Sequence, residues 1–203
     1  MQRIQILLLA CLAVLAGCTA STPKNVNDIC AIFEEKSGWY DDAVDAREEW
    51  DTPIPVMMAI MHQESRFQAK AKPPRRKILG FIPGPRASDA YGYSQAKKST
   101  WEWYKNSAGR YGADRDDFDD AIDFVGWYSQ QSNQRCGISR KDPYRLYLAY
   151  HEGHGGYNRR SYRKKEWLQG VARKVERQAG TYSQQLRRCE DELDKGSWFF
   201  GLF

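Results

Sequence analysis

A lone glutamate stands at the end of an apolar helical stretch, within residues 61–67 (MHQESRF). The carboxyl group of Glu64 should lose hydration there, and loss of hydration raises the pKa of a carboxyl group. A general acid that works near neutral pH needs such a raised pKa. Glu64 is therefore the candidate catalytic residue. The competing interpretation is a helix-end glutamate that simply meets solvent.

A second segment with binding chemistry is residues 90–96 (AYGYSQA). Gly92 lets the backbone approach a ligand closely, and Gln95 offers both a donor and an acceptor, which suits amides and sugar hydroxyls. Tyr91 and Tyr93 add flat ring faces with hydroxyl tips. A turn that caps the following helix accounts for the same residues equally well.

In a third segment, residues 148–157 (LAYHEGHGGY), an apolar helix runs into a glycine cluster. Tyr150, His151 and Glu152 lie at its end, and the plain alternative is a glycine helix stop. His151, Glu152 and His154 also suggest zinc. The histidines are three apart rather than the four of a helical HExxH site, and glycines interrupt the helix. We therefore predict no metal site here.

The elements that must position these segments are mainly α-helices, because apolar residues recur every three or four positions. Asn27 or Asp28 can cap a first helix that stops near Gly38. In residues 77–82 (KILGFI), β-branched and aromatic residues flank a glycine, which predicts a small hairpin within the loop 70–90. Further helices are predicted at residues 39–50, 55–66, 95–106, 116–135, 142–152 and 163–193.

The N-terminal residues 1–17 (MQRIQILLLACLAVLAG) have a basic start and an apolar run too short to span a bilayer, as in a signal peptide. Residues 15–18 (LAGC) resemble a bacterial lipobox, which implies cleavage before Cys18 and its lipidation. Residues 18–25 would form a tether to the membrane. Thr19 after the cysteine implies an outer-membrane lipoprotein that faces the periplasm. The alternative is an ordinary secretion signal.

Three further cysteines would lie in an oxidising compartment. Cys30 and Cys189 each lie on the apolar stripe of a helix, at opposite ends of the domain. We predict a Cys30–Cys189 disulfide that closes a long loop, with three buried thiols as the alternative. Cys136 follows a polar stretch and is the expected free thiol.

Taken in order, Glu64-Ser65, residues 92–95 (GYSQ) and residues 149–153 (AYHEG) resemble the three signatures of the lytic transglycosylase SLT-domain family, which is related to goose-type lysozyme. The resemblance covers roughly residues 40–165. It implies a lysozyme-like fold, which we place at residues 26–193, with residues 194–203 as an apolar C-terminal tail.

The resemblance also implies an activity. The substrate would be peptidoglycan, cut at the β-1,4 bond between N-acetylmuramic acid and N-acetylglucosamine, with Glu64 as the single general acid and base. The muramyl 6-hydroxyl would attack C1 and form a 1,6-anhydro ring, so no cofactor is implied. Ser65, Gln95 and Tyr150 match family positions that hold the catalytic carboxyl or the sugar, and Tyr93 lies in the matching motif. We expect a monomer.

Two departures from the family pattern leave alternatives open. His151 stands where the family usually has Asn, and Glu152 where it usually has Ala. We include both among the substrate-binding candidates. As a second carboxylate, Glu152 could direct water, which would make the protein a hydrolytic muramidase. Residues 73–86 exceed the family norm and form either a basic flap over the groove or a solvated loop.

The formal net charge of +5 on 203 residues is a mild basic excess. The basic run at residues 159–165 suggests nucleic acid, but an exported lipoprotein meets little of it, so no nucleic-acid partner is predicted. The rival from another class is a non-catalytic peptidoglycan-binding lipoprotein with the same groove and no turnover.

Overall fold

The computed structural model describes residues 21–200, apart from the side chains of residues 76, 78, 82 and 196–200. The predicted signal peptide, the lipidation site Cys18 and the first part of the tether lie outside the described residues, as do residues 201–203 of the predicted tail. Within the described part of the chain, no helix combines the length and the apolar character needed to cross a membrane.

Seven α-helices and a 3₁₀ turn dominate residues 21–200, which confirms the predicted mainly helical fold. In chain order they are α1 Ile29–Glu35, α2 Trp39–Trp50, α3 Ile54–Ser65, α4 Lys98–Ala108, α5 Phe118–Cys136, α6 Pro143–Asn158, the 3₁₀ turn Ser161–Lys164 and α7 Glu166–Phe200. The strands β1 Arg75–Ile78 and β2 Ile82–Arg86 pair antiparallel as the predicted hairpin.

Several helix ends follow from local side-chain chemistry. Asp28 caps α1 by accepting hydrogen bonds from the backbone of Cys30 and Ala31, and Asp117 caps α5 in the same manner. α5 ends at Gly137, which adopts the left-handed backbone that glycine tolerates best. These caps fix the start of α1 and both ends of α5.

Helix α3 is the centre of the core and ends in the first motif. It packs against α5, α6 and above all α7. Almost every residue before its last turn is buried, which is typical of a helix enclosed on all sides. The buried apolar residues of α3 are Ile54, Val56, Met57, Met58, Ala59, Ile60 and Met61.

A buried carboxylate ties α5 to two neighbouring helices. Asp123 of α5 accepts a hydrogen bond from Trp50 Nε1 of α2 at 2.6 Å and another from the Tyr104 hydroxyl of α4. Arg110 forms an ion pair with the same carboxylate at 3.3 Å. A buried charge with this many partners is well satisfied, so it orients the helices rather than weakening the core.

The predicted disulfide is confirmed. Cys30 of α1 and Cys189 of α7 are bonded across a sequence separation of 159 residues, and Cys136 is free and partly buried. The bridge fixes the first helix against the last, and α7 continues to Phe200 through the beginning of the predicted tail.

The glycine cluster of the third motif bends α6 instead of ending it. We expected the helix to stop at residue 152, but it continues to Asn158 across a kink at Gly153. Gly153 has φ 70° and ψ 159°, a conformation that glycine adopts without steric cost. Tyr150, His151 and Glu152 therefore lie on the last turn before the kink.

Candidate active site

The three motifs meet at one open pocket of about 330 Å³. It lies at the C-terminal end of α3, between the loop before α4, the side of α5 and the kink of α6. Of the predicted site residues, the pocket brings together Glu64, Gln95, Tyr150, His151 and Glu152. Its remaining lining is Ala96, Lys97, Thr100, Phe124, Tyr128 and Gly153.

Glu64 lies in the last turn of α3, with its carboxyl group partly open to the pocket. Burial raises its pKa to about 7, and an interaction with the Tyr147 hydroxyl works weakly in the opposite direction. No cation among the described residues forms an ion pair with the carboxylate. A substantial fraction of Glu64 therefore carries a proton at neutral pH.

Two tyrosines of α6 are close to the carboxyl group of Glu64. The Tyr150 hydroxyl donates a hydrogen bond to the Ser94 carbonyl at 2.6 Å, so the third motif is tied to the second. Burial raises the pKa of both Tyr147 and Tyr150, and the nearby Glu64 charge raises them further. Both phenols are therefore neutral donors at any physiological pH.

Tyr147 is a site residue that our sequence reasoning missed. It precedes Tyr150 by three positions on α6, and residues three apart share a helix face. That spacing was the available signal, but Tyr147 lies before the third motif and resembled an ordinary core tyrosine.

Gln95 reaches the pocket through an unusual backbone conformation. Its φ of 50° lies in the left-handed region, and its side-chain amide donates to the carbonyls of Ala71 and Gly92, both at 2.9 Å. The side-chain oxygen accepts no hydrogen bond from the described residues, so it remains an acceptor for a ligand hydroxyl or amide. The bond to the Ala71 carbonyl also joins this loop to the residues just before the hairpin.

The loop that presents Gln95 depends on Gly92. Gly92 has φ 79°, and a Cβ atom there would lie 1.8 Å from the Arg115 carbonyl oxygen. We predict that Gly92→Ala lowers the free energy of unfolding by about 2–4 kcal/mol and reduces substrate binding, since the loop must move. Urea denaturation measures the first effect. Gly112→Ala is the matched control, because that position has open space; an equal loss there would contradict the prediction.

Ser65 and Tyr93 do not line the pocket. The Ser65 hydroxyl donates to the Met61 carbonyl of its own helix. The Tyr93 ring is 1% exposed and packs edge-on against Trp39 and Phe118. Their predicted contact with a sugar stays a prediction.

The second carboxylate, Glu152, is held by a set of donors. Its Oε1 lies 2.7 Å from Lys165 Nζ and 3.1 Å from His151 Nδ1, and the Ser161 hydroxyl donates to Oε2. Burial raises the pKa of Glu152, but the hydrogen bonds from these three groups outweigh burial and hold the pKa at about 2. The pocket thus raises the pKa of one carboxyl group, that of Glu64, and lowers the pKa of the other, that of Glu152.

The raised pKa of Glu64 has a consequence for stability. Its pKa is about 7 in the folded chain against an ordinary 4.5, so the folded state binds more protons and stability falls as the pH rises from 4.5 through 7. We predict that Glu64→Gln raises the free energy of unfolding by about 1–3 kcal/mol at pH 8 and by clearly less at pH 5. Urea denaturation at both values checks this. The exposed Glu166→Gln is the control. If Glu64→Gln raised the free energy of unfolding equally at both pH values, that result would contradict a raised pKa of Glu64.

The described residues offer no metal site: among residues 21–200, no three His, Cys, Asp or Glu side chains are grouped to hold an ion. His151 is paired with Glu152, while His154 contacts Ser132 and stacks on Tyr128. The polar groups that line the pocket include the carboxyl groups of Glu64 and Glu152, the His151 imidazole, the Tyr128 and Tyr150 phenols and the Gln95 amide.

The chain is similar to a known protein family. The family model described as transglycosylase SLT domain matches residues 6–189. No curated protein and no solved structure gave a significant match.

Proposed function

Since the chain belongs to the family of transglycosylase SLT domains, we propose that it is a lytic transglycosylase that cleaves the β-1,4 bond between N-acetylmuramic acid and N-acetylglucosamine in peptidoglycan. The observation that carries the proposal is Glu64, whose carboxyl group has a pKa of about 7 and faces an open pocket. A general acid is most effective when its pKa lies near the operating pH.

The proposed reaction uses Glu64 twice. The protonated carboxyl group donates its proton to the glycosidic oxygen as the bond to C1 of the muramyl residue breaks. The resulting carboxylate then accepts the proton of the muramyl 6-hydroxyl, whose oxygen forms the new bond to C1. Water is not consumed, the products are an N-acetylglucosamine end and a 1,6-anhydromuramyl end, and Glu64 recovers its proton.

The pocket supports this route through groups that orient the sugar. The free side-chain oxygen of Gln95 can accept from a sugar hydroxyl or an acetamido N–H. Tyr150 is fixed by its bond to the Ser94 carbonyl, and burial keeps Glu64 protonated despite the opposing effect of the Tyr147 hydroxyl. We propose His151 at the pocket mouth as a further substrate contact.

The environment of Glu152 argues against the hydrolytic alternative. A muramidase would need a second carboxylate that accepts a proton from water. Glu152 has a pKa of about 2 and is held by Lys165, Ser161 and His151, so it is a weak base with its oxygen atoms engaged. We propose that Glu152 fixes the kinked end of α6 instead.

Digestion of purified sacculi followed by mass spectrometry tests the proposed reaction. The transglycosylase predicts muropeptides that are lighter by one water than the reducing forms, because the anhydro ring replaces hydrolysis. Reducing muropeptides would select the hydrolase instead. Sacculi that bind the protein in a pelleting assay and release nothing would select the non-catalytic peptidoglycan-binding protein.

The role of Glu152 has its own prediction. We expect Glu152→Gln to yield the same anhydro products, and to lower the free energy of unfolding by about 1–3 kcal/mol because Lys165 loses its partner. Product analysis and urea denaturation measure the two effects. Loss of all turnover in a variant that still folds, with stability unchanged, would instead assign Glu152 to the chemistry.

We also propose that the protein is a monomeric lipoprotein of the outer membrane, anchored through lipidated Cys18 and facing the periplasm. The lipobox-like residues 15–18 and Thr19 support this. Metabolic labelling with a radioactive fatty acid, compared between the natural chain and Cys18→Ser, tests the anchor.

A further inference from the structure

A second open cavity of about 480 Å³ lies between α3 and α7 and shares no residue with the Glu64 pocket. On the α3 side it is lined by His62 and Gln63 and by Arg66, which directly follows the helix, and these residues flank Glu64 in the sequence. Successive helix residues are rotated by about 100°, so His62 and Glu64 face roughly opposite sides of α3. The helix that carries the proposed acid thus separates two cavities.

The charge of this second cavity is entirely positive. Arg66 from the end of α3 faces Lys174 and Arg177 of α7, and neither Asp nor Glu is among its lining residues. None of these three cations forms an ion pair with the described residues. Three cations gathered without an acidic partner repel one another, and an anion between them would relieve that repulsion.

The wall of the cavity also holds two buried polar atoms that lack a hydrogen-bond partner, His62 Nε2 and Gln178 Nε2. The Gln178 amide lies beside the Tyr182 hydroxyl, whose proton is donated to the Val26 carbonyl, but Gln178 Nε2 forms no well-aligned hydrogen bond with that oxygen. Buried polar groups in proteins nearly always have partners, so this pair beside a cationic cavity calls for an acceptor, which water or a bound anion can supply.

We infer that this cavity, formed by His62, Arg66, Lys174, Arg177 and Gln178, is a binding site for an oxyanion group, either a phosphate or a carboxylate. The guanidinium groups and the Lys174 ammonium supply charge-assisted hydrogen bonds. The Gln178 amide, and His62 in the tautomer that carries its proton on Nε2, supply neutral donors at the base. A phosphate offers more acceptor oxygens and more charge, so we expect it to bind more tightly than a carboxylate.

The test is a titration of the isotope-labelled full chain in a non-ionic detergent, with inorganic phosphate in one series and acetate in another at constant ionic strength. The readout is the side-chain amide signal of Gln178 in a ¹⁵N–¹H spectrum, which reports on the base of the cavity directly. We expect a saturable shift of this signal. Tighter binding of phosphate identifies a phosphate site, and tighter binding of acetate identifies a carboxylate site.

Two variants and a matched control separate a built site from general surface charge. Arg66→Asn combined with Arg177→Gln removes two cations, and Asn suits the left-handed backbone of position 66. We expect this double variant to bind about tenfold or more weakly. Gln178→Met, followed by calorimetry, should also weaken binding. The control is Arg173→Gln, an exposed neighbour that does not line the cavity.

The inference does not depend on the proposed catalytic activity, because every readout is binding at a cavity that shares no residue with the Glu64 pocket. A Gln178 signal that moves with neither anion would overturn it. Equal weakening by Arg173→Gln and by the double variant would overturn it as well, since that result would mean diffuse attraction by the surface of α7.

Discussion

Glu64→Gln should lower the rate of muropeptide release from sacculi by about 10²–10⁴-fold, the range that general acid–base catalysis contributes. Glutamine has nearly the same shape as glutamate, so the pocket stays intact, but its amide cannot donate a proton to the glycosidic oxygen or recover one from the muramyl hydroxyl. Quantification of soluble muropeptides over time measures this loss.

The folded state of the variant should be at least as stable as that of the natural chain, because the substitution removes a carboxyl group that is poorly hydrated in the fold. Loss of activity together with unchanged circular dichroism therefore separates chemistry from misfolding. The control Glu166→Gln changes the same charge at an exposed site in the first turn of α7. A Glu64→Gln variant that keeps more than a tenth of the rate would refute the role of Glu64 as the acid.

Removal of the Cys30–Cys189 bridge should lower the free energy of unfolding by about 3–5 kcal/mol. The bond joins residues with a sequence separation of 159. A cross-link removes conformational entropy from the unfolded chain, and the loss is larger for a longer loop, so the bridge stabilises the folded state. Urea denaturation of the double variant Cys30→Ser, Cys189→Ser, compared with the natural chain, measures the loss.

Cys136→Ser provides the matched control, because Cys136 is free and its thiol makes only a long contact with the His154 carbonyl, at 3.8 Å. We expect that substitution to change stability by less than about 1 kcal/mol. A reducing agent should lower the free energy of unfolding of the natural chain by as much as the double substitution does. If the bridged and unbridged chains unfolded at the same urea concentration, the bridge would have no part in stability.

Sequence patterns predicted the features that depend on local periodicity. The apolar stripe that contains Cys189 placed that cysteine on the inner face of α7, and its counterpart at Cys30 followed from the short helix α1. Residues 77–82 predicted the hairpin from a different local pattern, because a glycine between β-branched and aromatic residues is a turn signal.

Features that depend on three-dimensional packing did not follow from the sequence. Glu152 is a candidate second carboxylate because it stands in the third motif where the family usually has Ala. Nothing local pairs it with Lys165, which lies thirteen residues further along the chain and beyond the kink at Gly153. Only the fold brings the ammonium group within 2.7 Å of the carboxylate. Similarly, Tyr93 belongs to a binding motif in sequence, yet packing against Trp39 draws its ring into the core.

The start of α4 shows a conflict between periodicity and the site. The apolar pattern predicts a helix from residue 95, whereas α4 begins at Lys98. Gln95 adopts a left-handed backbone and donates to the carbonyls of Ala71 and Gly92, so it cannot be part of the helix. Helix periodicity thus gives the wrong start at Gln95, a residue that lines the pocket. Such failures of local rules are common at functional sites.

The protonation of Glu64 itself is the most direct test of the central claim. Labelling of glutamate side-chain carbonyl carbons with ¹³C, with Glu64→Gln used to assign the signal, allows the carboxyl group to be titrated by NMR in the folded chain. We predict a pKa of about 7, and a rate of sacculus digestion that falls as the pH rises through the same value. A titration midpoint near the ordinary 4.5, with activity undiminished at alkaline pH, would contradict the assignment of Glu64 as the proton donor.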